Sequence, residues 1–158
     1  MTQLYEPSES GRVLALDVGR KRIGLAVSDE LGITAQGIET LERTRIREDL
    51  AKLKDIATRW NVQALLVGHP LHMSGRHSRQ SQYTSEFAER LRAHLRLPVL
   101  FWDERLTSAE AQRMLREGGA TLEKRKRAVD RLAAVLLLES YLQNRRIERD
   151  SAHGGSLA

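Results

Sequence analysis

The stretch VLALDVGRKRIGLAV, residues 13–27, decides the fold. Two short apolar runs flank Gly19-Arg20-Lys21-Arg22, a pattern typical of two β-strands joined as a hairpin. A third strand is predicted from Thr34 to Leu41, after Gly32. The chain therefore opens with three strands, and the apolar character of the first suits the centre of a sheet.

Beyond these strands the hydrophobic period changes to steps of three and four in two segments, which predicts two helices. Their apolar positions are Ile46, Leu50, Leu53, Ala57 and Trp60, then Tyr83, Phe87, Leu91 and Leu95. Residues 64–67 and 98–102 are short apolar runs that predict buried strands. Thr107 and Glu110 form a capping box for a further helix, and Val129 to Leu142 predicts a buried last helix. The order βββαβαβαα predicts an α/β fold, a five-stranded mixed sheet with helices on both faces.

The composition indicates one folded domain. The 158 residues include 41% hydrophobic residues, enough for a core, and no cysteine. The lack of cysteine excludes disulfides, thiolate zinc sites and cysteine nucleophiles. We expect a domain at residues 12–143 between polar, flexible ends at 1–11 and 144–158. The N-terminus has no signal-like segment and no apolar run reaches the roughly 20 residues of a membrane span, so a cytoplasmic protein without a membrane partner is expected.

The charge balance favours a polyanionic partner. Lys and Arg number 26 against 21 Asp and Glu, a formal net charge of +5. Basic surfaces bind nucleic acids because Lys and Arg displace the counterions condensed on phosphates. Many basic proteins bind no nucleic acid, so the positions of the charges carry more weight than their sum.

Carboxylates interrupt the apolar pattern at three places. Asp17 lies in the first strand, where a charge is costly unless it is paired or binds a cation. Asp103 and Glu104 follow the fifth strand, at the end where α/β sheets gather ligands. Asp130 lies in the first turn of the most hydrophobic helix. Each place also has a local explanation: a cap on the turn at Gly19, a helix cap, and a complement to the helix dipole.

If these carboxylates converge, they form a metal site. Hard oxygen ligands suit Mg²⁺ or Mn²⁺, which also take phosphate oxygens as ligands. Two such ions about 4 Å apart would stabilise the attacking and leaving oxygens of phosphodiester hydrolysis. The residues therefore suggest a metal-dependent nuclease in which the carboxylates are ligands and not nucleophiles.

Basic residues lie close in the sequence to each of these three acidic places. They are Arg20, Lys21 and Arg22 after the first, Arg105 after the second, and Lys124, Arg125, Lys126 and Arg127 before the third. We expect them to hold the backbone phosphates of a nucleic acid, although a solvated hairpin tip would also explain the first group. No aromatic residues are interleaved with them, so a structured backbone suits them better than splayed single-stranded bases.

Three segments in order resemble the YqgF/RuvX family. They are residues 14–26 (LALDVGRKRIGLA), 103–108 (DERLTS) and 128–135 (AVDRLAAV), and the resemblance covers about residues 12–142. It implies a ribonuclease H-like fold and an endonuclease of the bacterial cytoplasm. Family members are assigned to maturation of the 5′ end of pre-16S ribosomal RNA and were earlier described as Holliday-junction resolvases.

The resemblance also implies roles for residues. Asp17, Glu104 and Asp130 match the acidic positions of the family, which makes them the expected catalytic residues and ligands of Mg²⁺ or Mn²⁺. Asp103, which precedes Glu104, could share its role.

The segment 67–75 departs from the family's Gly-Leu-Pro-Leu-Asn loop. His69 replaces its Leu and His72 replaces its Asn, so a role of the Asn side chain does not carry over. With His77 these residues match no standard metal-site spacing, and solvated loop histidines are expected.

Several alternatives stay open. The substrate could be structured RNA or branched DNA, and a homodimer would suit a two-fold junction while a monomer suffices for RNA trimming. A nucleic-acid-binding module without catalysis is the alternative of another class, although all three acidic positions are occupied. A phosphate loop of the sugar- and acetate-kinase type is disfavoured because 158 residues leave room for only one of the two domains it needs.

Overall fold

The computed structural model describes residues 11–69, 79–103 and 122–154, with side chains described from 81 onward in the second segment and from 130 to 152 in the last. Its strands are β1 Arg12–Val18, β2 Arg22–Ser28, β3 Ala35–Glu42, β4 Val62–His69 and β5 Val99–Asp103. The helices of this part are α1 Ile46–Arg59, α2 Arg79–Leu95 and α3 Leu122–Gly154. The helix predicted from Thr107 and Glu110 lies outside the described residues.

The strands form one mixed sheet in the order β3-β2-β1-β4-β5. The β1–β2 and β2–β3 pairs are antiparallel, while β4 lies parallel to both β1 and β5. The predicted hairpin and the predicted five-stranded mixed sheet are confirmed. The central position of β1 explains its apolar sequence, since Leu14 and Leu16 are completely buried.

Strand alternation gives the sheet two buried faces. On one face α1 and α2 pack against the side chains of Leu14, Leu16 and the residues that share their parity. On the other face α3 packs against Val13 and Ala15, and its Leu137 and Leu138 are buried there. The prediction of helices on both faces is therefore confirmed.

Helix α3 is longer than the sequence predicts. It begins at Leu122 and ends at Gly154, so residues 144–154, expected to be part of a flexible tail, are helical. Local contacts explain the extension: Asn144 donates to Glu148 one turn later, and the Arg145 guanidinium lies 5.8 Å from the centre of the Tyr141 ring. The helix is also buried on one face and not all round, because Leu132 and Leu136 are half-buried. No helix in the described ranges is long and apolar enough to cross a membrane.

Candidate active site

The predicted carboxylates of β1 and α3 meet across a glycine of β2. Asp17, half-buried, lies one residue before the end of β1 and pairs with Gly24 in the sheet register. The backbone of α3 rests on Gly24 at Asp130, where a Cβ on the glycine would overlap the Asp130 carbonyl group. Because Asp17 has the parity of Val13 and Ala15, its side chain lies on the face that α3 covers. The two carboxylates are thus brought together by a contact that only glycine permits.

The electrostatics of Asp130 reflect this proximity. Burial raises the pKa of Asp130, the negative charge of Asp17 raises it further, and the pKa reaches about 6. A hydrogen bond and the positive charge of Arg22 oppose the rise, while the charge of Glu42 adds a smaller increase. At Asp130 burial and the neighbouring carboxylate thus outweigh the effect of Arg22, which is the condition under which a carboxyl group retains its proton or binds a cation.

Arg22 has a contact that the sequence did not predict. Its Nε lies 3.2 Å from Oδ2 of Asp130, and the two side chains are 22% and 27% exposed. The guanidinium expected to hold phosphate thus forms an ion pair inside the site. Glu42, which the sequence did not single out, pairs with Arg22 in the β2–β3 register. The signal was present in the antiparallel pairing, which sets the start of β2 opposite the end of β3.

The turn between β1 and β2 carries exposed cations at the rim of the site. We call residues 19–22 the basic turn; it is closed by a hydrogen bond of 2.9 Å from the Gly19 N–H to the Arg22 carbonyl. Arg20 and Lys21 are exposed, and neither has an ion-pair partner among the described residues. Their contact to an anionic ligand stays a prediction.

The strand end that carries Asp103 presents its side chain to the other face. Trp102 packs on the α3 side, so alternation along β5 places Phe101 and Asp103 on the α1–α2 side. Asp103 also pairs in register with His69, whose ring meets that of Phe101 edge-on at 5.1 Å. Asp103 is therefore on the opposite face from Asp17, which does not favour a shared ligand role.

His69 is not the solvated loop residue expected from the sequence. It ends β4, is half-buried, and its Nε2 lies 3.2 Å from Oγ of Ser85 and 3.3 Å from Oγ of Ser81, both on α2. Two hydroxyl groups are therefore within hydrogen-bond distance of Nε2 inside the fold. His72 and His77 lie outside the described residues.

The remaining predicted residues fall outside what the structure describes. Glu104 and Arg105 follow the last described residue of β5, and the side chains of Lys124, Arg125, Lys126 and Arg127 are not described although their backbone opens α3. Within the described ranges no group of three His, Asp or Glu side chains could hold a metal ion. The described donors are the pair Asp17 and Asp130, whose oxygen chemistry and mutual repulsion fit Mg²⁺ or Mn²⁺.

Solved structures define the class of fold. RuvC of Thermus thermophilus, in complex with a Holliday junction substrate, matches with a TM-score of 0.56 and 16% identity over 85% of this chain and 96% of its own. The fowlpox virus resolvase in complex with Holliday junction DNA matches with a TM-score of 0.53 and 15% identity over 84% and 97%. The chain has the ribonuclease H-like fold of these resolvases.

Sequence comparison defines the family within that class. Residues 11–144 match the RuvX family, described as Holliday junction resolvase. A Koribacter versatilis protein named "Putative pre-16S rRNA nuclease" is 51% identical over 148 residues, 93% of this chain and 97% of its own. A Clostridium novyi protein of the same name is 44% identical over 133 residues, 84% and 98% of the two chains. The chain belongs to the RuvX family, and it is a nuclease.

Proposed function

We propose that this protein is a cytoplasmic endonuclease that hydrolyses phosphodiester bonds in structured nucleic acid with Mg²⁺ or Mn²⁺, and that its substrate is the precursor of 16S ribosomal RNA. The curated relatives support the substrate, since those at 51% and 44% identity carry that RNA in their names. The basic turn supports a phosphate-bearing ligand, because its two exposed cations lie in the chain between Asp17 and Arg22, the ion-pair partner of Asp130.

The observation that carries the proposal is the meeting of Asp17 and Asp130 over Gly24. Burial and mutual repulsion make the ionised forms of these two side chains unfavourable, as the raised pKa of Asp130 shows. A cation bound between them would offset both effects, which explains why the fold keeps two acidic residues here. Stability alone does not favour the arrangement, because an apolar residue at either position would avoid the repulsion and the desolvation.

Each residue then has a part in the reaction. Asp17 and Asp130 hold the cation, with Glu104 as the third ligand, and a bound divalent ion would supply Lewis-acid activation of the phosphodiester and of the attacking water. Arg20 and Lys21 hold backbone phosphates at the rim. Arg22 keeps the Asp130 carboxylate oriented toward the site through its Nε–Oδ2 contact.

A four-way DNA junction is the second candidate substrate. The description of the matching family as Holliday junction resolvase favours it. A junction has two-fold symmetry, so this substrate favours a homodimer that places one site on each of two strands. Cleavage of precursor RNA requires only a monomer.

The test is cleavage of labelled precursor 16S RNA and of a labelled four-way DNA junction, with Mg²⁺, Mn²⁺ or EDTA. Wild type is compared with Asp17→Asn, Glu104→Gln and Asp130→Asn. Asp55→Asn is the matched control, because Asp55 is an exposed carboxylate on α1 that pairs only with the surface cation Arg59 among the described residues.

We expect metal-dependent cleavage of the RNA by wild type and Asp55→Asn, and a loss of at least about a hundredfold in the three site variants. Cleavage of the junction alone would replace the RNA by branched DNA as substrate. Binding of both polymers without cleavage under either metal, unchanged by the site substitutions, would show a binding module and overturn the proposal.

A further inference from the structure

An arginine outside the predicted site, with a side chain that is nearly buried, donates hydrogen bonds to the basic turn. Arg43 follows β3 and its side chain is only 10% exposed. Its backbone N–H donates to the Lys21 carbonyl at 2.9 Å, and its Nη1 donates to the Gly19 carbonyl at 3.1 Å. One residue therefore binds two of the carbonyl groups of the basic turn.

The other side of the same guanidinium is anchored in the core. Its Nε lies 3.3 Å from Oδ2 of Asp49, which is 1% exposed and also accepts from the Thr44 N–H at 3.0 Å. The guanidinium plane rests on α2, 4.7 Å from the centre of the Phe87 ring and 5.4 Å from that of Tyr83. Arg43 thus connects the basic turn to both helices of the α1–α2 face.

The chemistry of this position requires an arginine. A buried charge is tolerated when a counter-charge and hydrogen bonds satisfy it, and here Asp49 and the Gly19 carbonyl do so from two directions. Lysine has one nitrogen and no planar fork, so it cannot reproduce both contacts together with the ring stacking. An apolar residue could fill the space against the rings but could not bind the turn.

The turn that Arg43 binds carries Arg20 and Lys21, the cations that the proposed function assigns to substrate binding. Both hydrogen bonds from Arg43 go to backbone carbonyl groups of the turn, and the side chains of Arg20 and Lys21 are exposed. The turn begins two residues after Asp17 and ends at Arg22, the ion-pair partner of Asp130. A shift of the turn would move the phosphate-binding cations relative to both carboxylates.

We propose that Arg43 is a positioning residue, which holds the basic turn at a fixed place beside Asp17 and Asp130 so that a substrate phosphate meets Arg20 and Lys21 in register with the site. This inference rests on the proposed function. Arg43 itself touches no substrate, and its effect on binding passes through the turn.

The test compares Arg43→Met and Arg43→Lys with the double variant R20A/K21A and with the triple variant that combines it with Arg43→Met. The probe is a fluorescent precursor 16S RNA fragment, bound in EDTA so that no cleavage occurs. Leu53→Ala is the matched control: Leu53 is fully buried on α1, so its truncation destabilises the same layer, and its aliphatic side chain donates no hydrogen bond to the turn. All binding is measured well below the unfolding midpoint of the least stable variant.

We expect Arg43→Met to weaken binding about tenfold, with Arg43→Lys between it and wild type and Leu53→Ala unchanged. In the R20A/K21A background Arg43→Met should have no further effect, because the cations that it positions are gone. Additive effects, wild-type affinity of Arg43→Met, or equal weakening by Leu53→Ala would each overturn the inference.

A second measurement separates this inference from the proposed function. Amide hydrogen exchange at residues 19–22 should be faster in Arg43→Met than in wild type, and unchanged in Leu53→Ala. If wild type bound no nucleic acid, the proposed function would fail while exchange would still decide whether Arg43 holds the turn. Exchange at the turn that is unchanged in Arg43→Met would overturn the positioning role.

Discussion

At the scale of single residues, Asp130 makes stability depend on pH in an unusual direction. Its pKa of about 6 lies above the ordinary 3.8, so between these values the folded protein binds more protons than the unfolded chain. The free energy of unfolding therefore falls as pH rises from the ordinary pKa through about 6, and it levels off above that, where both states have lost the proton. Asp130→Asn lacks this titration. In metal-free buffer we expect its stability relative to wild type to grow by about 1 kcal/mol between pH 5 and pH 7.5 in urea unfolding.

Asp29 is the control, because its shift has the opposite sign. Desolvation acts to raise the pKa of Asp29, but hydrogen bonds from the backbone N–H groups of Thr34 and Ile33 outweigh it and lower the pKa. The ionised form therefore stabilises the fold above the ordinary pKa and loses this effect only at more acid pH. Asp29→Asn should be less stable than wild type by an amount that stays constant between pH 5 and pH 7.5. A constant difference for Asp130→Asn as well would contradict the raised pKa.

At the scale of secondary structure elements, the approach of α3 to β2 depends on Gly24. A Cβ there would overlap the Asp130 carbonyl and lie 2.9 Å from the Arg131 nitrogen. These are backbone atoms of α3, so relieving the overlap requires the helix itself to shift. We expect Gly24→Ala to lower the free energy of unfolding by about 3 kcal/mol, measured by urea unfolding, and to move Asp130 away from Asp17. The raised pKa of Asp130 should then diminish.

Gly37→Ala is the matched substitution on the neighbouring strand. Its Cβ would lie 2.8 Å from Cγ of Arg131 and 3.2 Å from Cγ2 of Val135, both side-chain atoms, and Arg131 is exposed and can rotate away. We expect a loss below about 1 kcal/mol. Equal losses for the two glycines would mean that α3 is not anchored at Gly24.

The same elements show how far the sequence predicts this molecule. Short apolar runs and the break at Gly32 predicted all five strands, and a period of 3.6 residues predicted both α1 and α2, since these signals depend on neighbours in the chain. The two acidic positions now found together were also predicted, because a charge in an apolar run is visible without a structure. The Arg22–Asp130 pair was not, since it joins residues 108 positions apart. Arg43 was missed for a similar reason: its burial arises from two helices and a turn, and nothing adjacent in the sequence marks it.

At the scale of the whole molecule, a ligand that binds only the folded state stabilises all of it. Asp17 and Asp130 come together only in the fold, so Mn²⁺ or Mg²⁺ bound there should raise the free energy of unfolding by about 2.7 kcal/mol at a hundred times its dissociation constant. We expect the melting temperature of wild type and of Asp55→Asn to rise with added metal and to return with EDTA. Asp17→Asn and Asp130→Asn should show little rise. An equal rise in Asp17→Asn would place the cation elsewhere.

The net charge of +5 also acts at this scale, through the salt dependence of nucleic-acid binding. Each phosphate neutralised by a cation contributes about 0.7 to 0.9 to the slope of log affinity against log salt concentration. If Arg20 and Lys21 each meet a phosphate, R20A/K21A should lower that slope by about 1.5, measured by RNA binding in EDTA across salt concentrations. Arg59→Ala, which removes one exposed cation already paired with Asp55 on α1, should leave the slope unchanged. An unchanged slope in R20A/K21A would show that phosphate binding lies on another surface, since affinity alone can fall for reasons of shape but the slope counts charges.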